Sequence, residues 1–155
     1  MMTPQELLDF ARPWLWLNGA ASVTNGYLLQ VIEFLKDRLE FPADILKKGS
    51  VFFQDPSGIR LADWNENVEY IPKALHFYTH LTTTFFGNWK EDLKPWVDSY
   101  VEDHGGWKEG GKIMNCLRMI ISGNSKGPDM IGTLRILGKE NLIHRVNLFK
   151  EKYGY

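Results

Sequence analysis

Apolar residues in the segment 111–146, GKIMNCLRMIISGNSKGPDMIGTLRILGKENLIHRV, recur at the three- and four-residue intervals of helices. Ile113, Leu117, Ile120 and Ile121 form one stripe, and Ile131, Leu134 and Leu137 form a second. Burying the first stripe turns Asn115, Arg118 and Ser122 to the opposite face of the same helix. The pattern predicts two short helices joined by a tight Gly/Ser/Lys/Pro loop, then a third helix of basic character. Pro128 reads as the first residue of the second helix, where a missing N–H costs nothing and the fixed φ suits the first turn. An arginine next to that N-terminus suits a nucleic-acid backbone or a base edge.

The remainder of the chain is also helical in its periodicity. Thr3 caps a helix running to about Trp16, with Pro4 at its first position and Glu6 three residues after the cap, and Asn18-Gly19 stops it. Residues 25–39 carry the apolar face Leu28, Val31, Ile32, Leu35 and Leu39. Pro42 starts a short helix that ends at Gly49. Residues 51–64, with Asp55-Pro56-Ser57-Gly58 inside, read as a loop. A long helix follows over 68–86, with Ile71, Ala74, Leu75, Tyr78, Leu81 and Phe85 on one side. Trp89 begins another that reaches His104 and carries Leu93, Trp96, Val97 and Tyr100. Gly105-Gly106 and Gly110-Gly111 flank a connector into the segment above. The expected architecture is all-α: two small helical lobes, 1–86 and 87–155, packed as one bundle and divided near Gly87.

Composition narrows the class. A chain of 155 residues, 44% hydrophobic and 24% charged, is the size and polarity of one soluble domain or of two small lobes sharing a core. No apolar run reaches the roughly 18–20 residues of a membrane span, and no signal-peptide pattern opens the chain. Cys116 is the only cysteine, which excludes an intramolecular disulfide, so a cytoplasmic location is expected; the chain is separately expected to be a monomer. The net charge of −1 hides an asymmetry: residues 105–155 hold nine Lys/Arg against four Asp/Glu, whereas 1–104 hold nine against fifteen. A basic third on an acidic body can orient a polyanion, and an acidic half can equally serve solubility alone.

No catalytic motif is present: no glycine-rich phosphate loop, no G-x-S-x-G and no H-E-x-x-H. His76 and His80, four apart on a helix, could share a metal, but a site needs further ligands and the simpler role is flanking an aromatic stripe. Cys116 with His144 resembles a nucleophile and base only in residue type; a lone cysteine on an apolar helix is ordinarily small and buried. Most aromatics fall at core spacing. Trp107, beside Lys108 and Lys112, stands apart as either a stacking platform or a hydrophobic plug. Arg118 has a structural role open to it as well, pairing with Asp129 or Glu140.

The run Gly111-Lys112, Arg118, Gly123, Pro128 and Leu137-Gly138-Lys139-Glu140, with Arg145 beyond, resembles the C-terminal anticodon-binding region of bacterial glutamyl-tRNA synthetases. Leu7 to Leu15, Val31 to Asp44 and Phe52-Phe53 extend the likeness upstream. The resemblance implies an all-α module that binds the anticodon arm of tRNA(Glu). Arg118, Gly127, Pro128 and Met130 would lie against the unstacked anticodon bases, and Arg38 would face the first of them. Lys36, Lys112, Lys126, Lys139 and Arg145 are candidate phosphate contacts by charge. The chain departs from the family pattern at Cys116, where a proline commonly stands, and at Ile120-Ile121-Ser122 in place of Ala-Leu-Thr. Neither class I signature, H-I-G-H or K-M-S-K-S, occurs. The chain itself is thus expected to need no cofactor, ATP and magnesium belonging to an attached or separate catalytic domain. The competing reading is a helical protein-interaction module anchored by Trp16, Trp64 or Trp107.

Overall fold

The computed structural model describes residues 3, 5, 6, 8, 9, 12, 24–38, 52, 68–124 and 128–155. Among them the regular structure is helical, with no strand. The helices are α1 (Asn25–Leu35), α2 (Ile71–Thr84), α3 (Leu93–Asp103), α4 (Gly106–Ser122) and α5 (Met130–Tyr153), with a 3-10 turn at Lys36–Arg38. No described helix is long and apolar enough to cross a membrane. The expected stop at Asn18-Gly19, the 42–49 helix, Leu39, Trp16, Trp64, Lys126 and Gly127 lie outside the described residues.

The chain forms two compact units, Met1–Asp55 and Pro56–Tyr155. The division expected near Gly87 therefore falls inside the second unit. The reason is local: Gly87 lies in a tight turn between α2 and α3, and both helices pack on α4. In that turn the Asn88 side chain accepts from the amides of Lys90 and Glu91 at 2.9 and 3.0 Å, and Asp92 accepts from the Asn88 amide at 2.7 Å. These bonds close a capped turn over residues 89–92, and the regular helix α3 follows it from Leu93.

In the first unit, Thr3 Oγ1 accepts from the Glu6 amide as the capping pattern predicted. Thr24 does the same for Tyr27 at the start of α1. Leu28, Val31, Ile32 and Leu35 are buried on one face of α1. Phe52, expected in a loop, is helical and buried, edge-on to Phe34. Its carbonyl accepts from the Tyr27 hydroxyl at 2.7 Å.

The second unit is organised around α4, which packs against α2, α3 and α5. Ile113, Met114, Cys116, Leu117, Met119, Ile120 and Ile121 are all buried, so the helix is apolar on most of its circumference from 113 onward. The glycine-rich connector expected before residue 111 is instead the first turn and a half of this helix. Gly110 is required there by packing: a Cβ would sit 2.7 Å from Val101 Cγ1. Burial of the following stripe outweighs the roughly 1 kcal/mol that each glycine costs a helix interior. Gly123 ends α4 at φ 76°, and its amide returns to the Met119 carbonyl at 2.8 Å. Gly138, at φ 80° and ψ 162°, breaks α5 after Leu137, so the third, basic helix of the sequence reading begins there.

Glu109 ties the first turn of α4 to the start of α2. Its carboxylate receives Lys73 Nζ at 3.1 Å and the Tyr70 hydroxyl at 3.3 Å, while Lys112 Nζ lies 5.6 Å from the Tyr70 ring centroid. The hydrogen bond from Lys73 does most to hold Glu109 below its usual carboxylate value, partial desolvation opposes it, and the Lys73 charge, Tyr70 and Lys112 assist. A carboxyl lowered in the folded state contributes stability above its unfolded value and loses it as pH falls through the folded one. Thermal melts from pH 7 to pH 3 are expected to show a midpoint that drops less steeply for Glu109→Gln than for the parent chain, and parallel curves would remove Glu109 from that response.

Candidate functional site

One face of α4 is only partly covered by the core. Trp107, Gly111, Met114, Asn115 and Arg118 follow the three- and four-residue spacing of a single stripe. Asp129, Met130 and Ile131, at the start of α5, face that stripe, and the two groups line an open cavity of about 250 Å³. Met114, Met130 and Ile131 are buried and give it an apolar floor. Asn115, Arg118 and Asp129 supply amide, guanidinium and carboxylate groups around it, and Trp107 remains 48% exposed.

Hydrogen bonds at both ends of the α4–α5 loop fix this geometry. Arg118 Nη1 donates to the Pro128 carbonyl at 2.6 Å. Ser122 Oγ donates to the Arg118 carbonyl at 2.6 Å and accepts from the Asn124 amide at 3.1 Å. Asp129, not Pro128, starts α5: its Oδ2 accepts from the Gly132 amide at 2.8 Å. An aspartate can satisfy a first-turn amide and a proline cannot, which leaves Pro128 one residue before the cap. Thr133 Oγ1 donates to the Asp129 carbonyl at 2.8 Å and fastens the same turn. Chemically, the cavity combines apolar lining from Met114, Met130 and Ile131 with donors and an acceptor from Asn115, Arg118 and Asp129.

The candidate residues separate on this scaffold. Arg118 and Met130 line the cavity, and Pro128 is bound to Arg118 through its carbonyl. Beside the ion pair with Asp129 or Glu140 and the RNA contact that the sequence leaves open, the bond to Pro128 gives Arg118 a third role, anchoring the residue before the α5 cap. Lys112 is exposed on the neighbouring face of α4, over Tyr70, and Lys139 is exposed just past the break at Gly138. Arg38 closes the 3-10 turn of the first unit, where Lys36 pairs with Glu33 at 3.5 Å. Arg145 is a correction. It is 3% exposed and Nη1 donates to the Ile121 carbonyl at 2.8 Å, so this arginine holds the end of α4 and not a phosphate. Asn115 had been placed on the correct face but not in the site, and Gly111 and Asp129 were missed; extending the Arg118 stripe backward by helical steps would have found the first two.

Two other chemical candidates resolve into structure. His76 and His80 stack with centroids 5.7 Å apart, and His104 supplies a third ring at 5.6 and 6.5 Å. Even so, no group of three or more His, Cys, Asp or Glu among the described residues is arranged to hold a metal ion. His76 Nδ1 instead lies 2.7 Å from the Tyr100 hydroxyl, and Tyr100 stacks between Trp96 and His104. Cys116 is fully buried, and burial pushes its thiol up to about 12, which withholds the thiolate a nucleophile needs.

Comparison with known proteins gives a consistent picture. A family model described as an anticodon binding domain matches residues 6–149. Glutamate–tRNA ligase 1 of Fervidobacterium nodosum is 27% identical over 153 residues, covering 98% of this chain and 30% of that protein. A glutamate–tRNA ligase of Porphyromonas gingivalis is 28% identical over 153 residues, covering 96% of this chain and 29% of its own length. The crystal structure of a glutamate tRNA ligase from Elizabethkingia meningosepticum, in complex with its amino acid, matches 97% of this chain and 29% of its own with a TM-score of 0.79 and 26% identity. The chain therefore spans about 30% of the length of these relatives.

Proposed function

The chain belongs to the anticodon binding domain family, and on that premise we propose that it grips the anticodon arm of tRNA(Glu) and reads an unpaired base in the cavity between α4 and α5. The matching part of the relatives is their C-terminal, anticodon-binding part and not the catalytic core. We assign selection to this chain; activation of glutamate, with ATP and magnesium, falls to a catalytic domain of the kind its relatives carry.

The observation that carries the proposal is the cavity itself. At about 250 Å³ it is smaller than the roughly 300–1,000 Å³ of pockets for drug-sized ligands, which suits one base rather than a run of nucleotides. Single-stranded loops are read by side chains that reach the edges of splayed bases, and Arg118 and Asn115 offer such groups on its wall. Met130 lines the α5 end of the cavity and Pro128 adjoins it through the bond from Arg118, which supports assigning both to the base. Gly127 is assigned to the unstacked bases on the resemblance, and Lys126, Lys112 and Lys139 are assigned to the backbone of the same arm by charge. Arg38 is assigned to the first anticodon base on the resemblance alone.

The test is binding of the whole chain to a stem–loop RNA with a glutamate anticodon and to the same stem with a swapped anticodon. Tighter binding of the first is expected, with affinity falling by about tenfold or more between 50 and 200 mM salt as phosphate contacts release counterions. Equal affinity for the two loops would sink base reading. A response that is flat in salt would point to an apolar protein contact instead.

A further inference from the structure

Two adjacent glycines on α4 have different reasons for being there. Gly110 is needed because Val101 comes within 2.7 Å of where its Cβ would be. Gly111 has no such neighbour: a Cβ there meets nothing within 4 Å, and its backbone is ordinary helix. A glycine weakens a helix interior relative to alanine, and at Gly111 neither packing nor backbone conformation asks for one. Yet Gly111 lies in the cavity wall one helical turn from Trp107 and one from Asn115. The indole lies close beside Gly110, where an added Cβ would meet its Cε3 at 3.4 Å, and it remains half exposed.

We infer that Trp107 and the bare backbone of Gly111 form a shelf on which one unpaired base stacks, with its edge turned to Asn115 and Arg118. This rests on the reading of the cavity as an RNA site and adds the surface that fixes the plane of the base. Stacking on an aromatic ring is tolerant of base identity, so the shelf supplies affinity and the arginine end supplies discrimination. Gly111 leaves vacant the volume that the base occupies.

Three variants test the shelf against the glutamate-anticodon stem–loop: Trp107→Ala, Trp107→Phe and Gly111→Leu. Trp107→Ala and Gly111→Leu are each expected to weaken binding about tenfold or more, and Trp107→Phe to recover most of the loss. Gly111→Leu is expected to melt no lower than the parent, since its Cβ enters open space, so its loss reports the blocked slot and not the fold. With an abasic site at one anticodon position, the parent should lose the same factor and Trp107→Ala should lose nothing more. Parent-like binding by Gly111→Leu, or additive losses for Trp107→Ala and the abasic site at every position, would overturn the shelf while Arg118→Ala still erased anticodon preference. Failure of the parent chain to bind the stem–loop would overturn the RNA reading and the shelf with it.

Discussion

Arg118→Ala is expected to lower affinity for a glutamate-anticodon stem–loop by roughly ten- to a hundredfold, and to lower affinity for the swapped-anticodon loop by much less. A hydrogen bond from a charged donor contributes about 1.5–3 kcal/mol, and every 1.4 kcal/mol is tenfold in a dissociation constant. The substitution acts twice. It removes the guanidinium from the cavity wall, and it releases the Pro128 carbonyl, which Arg118 Nη1 holds at 2.6 Å. Asp129 still caps α5 through Gly132, so the helix itself should survive. Faster amide exchange is expected in the loop before α5, with α4 and α5 unchanged. Arg118→Lys separates the two effects. An ammonium keeps the charge but not the planar fork, so it should restore general RNA affinity without restoring the preference between loops. Equal losses on both RNAs for the alanine variant would reduce Arg118 to a general phosphate contact.

Helices were legible wherever apolar residues recur at helical spacing. The stripe from Ile113 to Ile121 and the face of α1 from Leu28 to Leu35 are buried as their spacing predicted. What spacing could not supply was the identity of the neighbour. Four glycines between 105 and 111 read as a connector, because the reason for Gly110 is the side chain of Val101, on another helix. Pro128 read as a helix start because proline suits that position, while Asp129 next to it takes the role with an actual acceptor. Gly87 read as a lobe boundary because it breaks a helix, but a break in periodicity does not reveal that α2 and α3 share a partner in α4. The site was half visible. Arg118 stood out by its type and place, whereas Gly111, reachable from Arg118 by helical steps, has no side chain to draw attention to it and gains meaning only from its place in the cavity wall.

Charge was the least reliable guide of all, and Arg145 shows why. Its lysine neighbours in sequence reach solvent, yet this arginine is buried with Nη1 on the carbonyl of Ile121, in the last turn of α4. Carbonyls in a final turn lack helical partners, and a cation there also meets the negative end of the helix dipole. Arg145→Met is therefore expected to destabilise the fold by about 3 kcal/mol, because a buried acceptor loses its donor even though the new side chain fills much of the volume. At this chain length that is a melting point roughly 6–12 °C lower. RNA affinity measured well below the new melting point should keep the parent's salt slope, since no phosphate contact has been removed. A phosphate-binding arginine would give the opposite pair of results: an unchanged melting point and a slope smaller by about one. Lys139→Ala is the matched control, exposed and clear of the α4 terminus, and it is expected to follow the second pattern. If the two variants exchange behaviours, the inward placement of Arg145 is wrong, and with it the account of how α4 ends against α5.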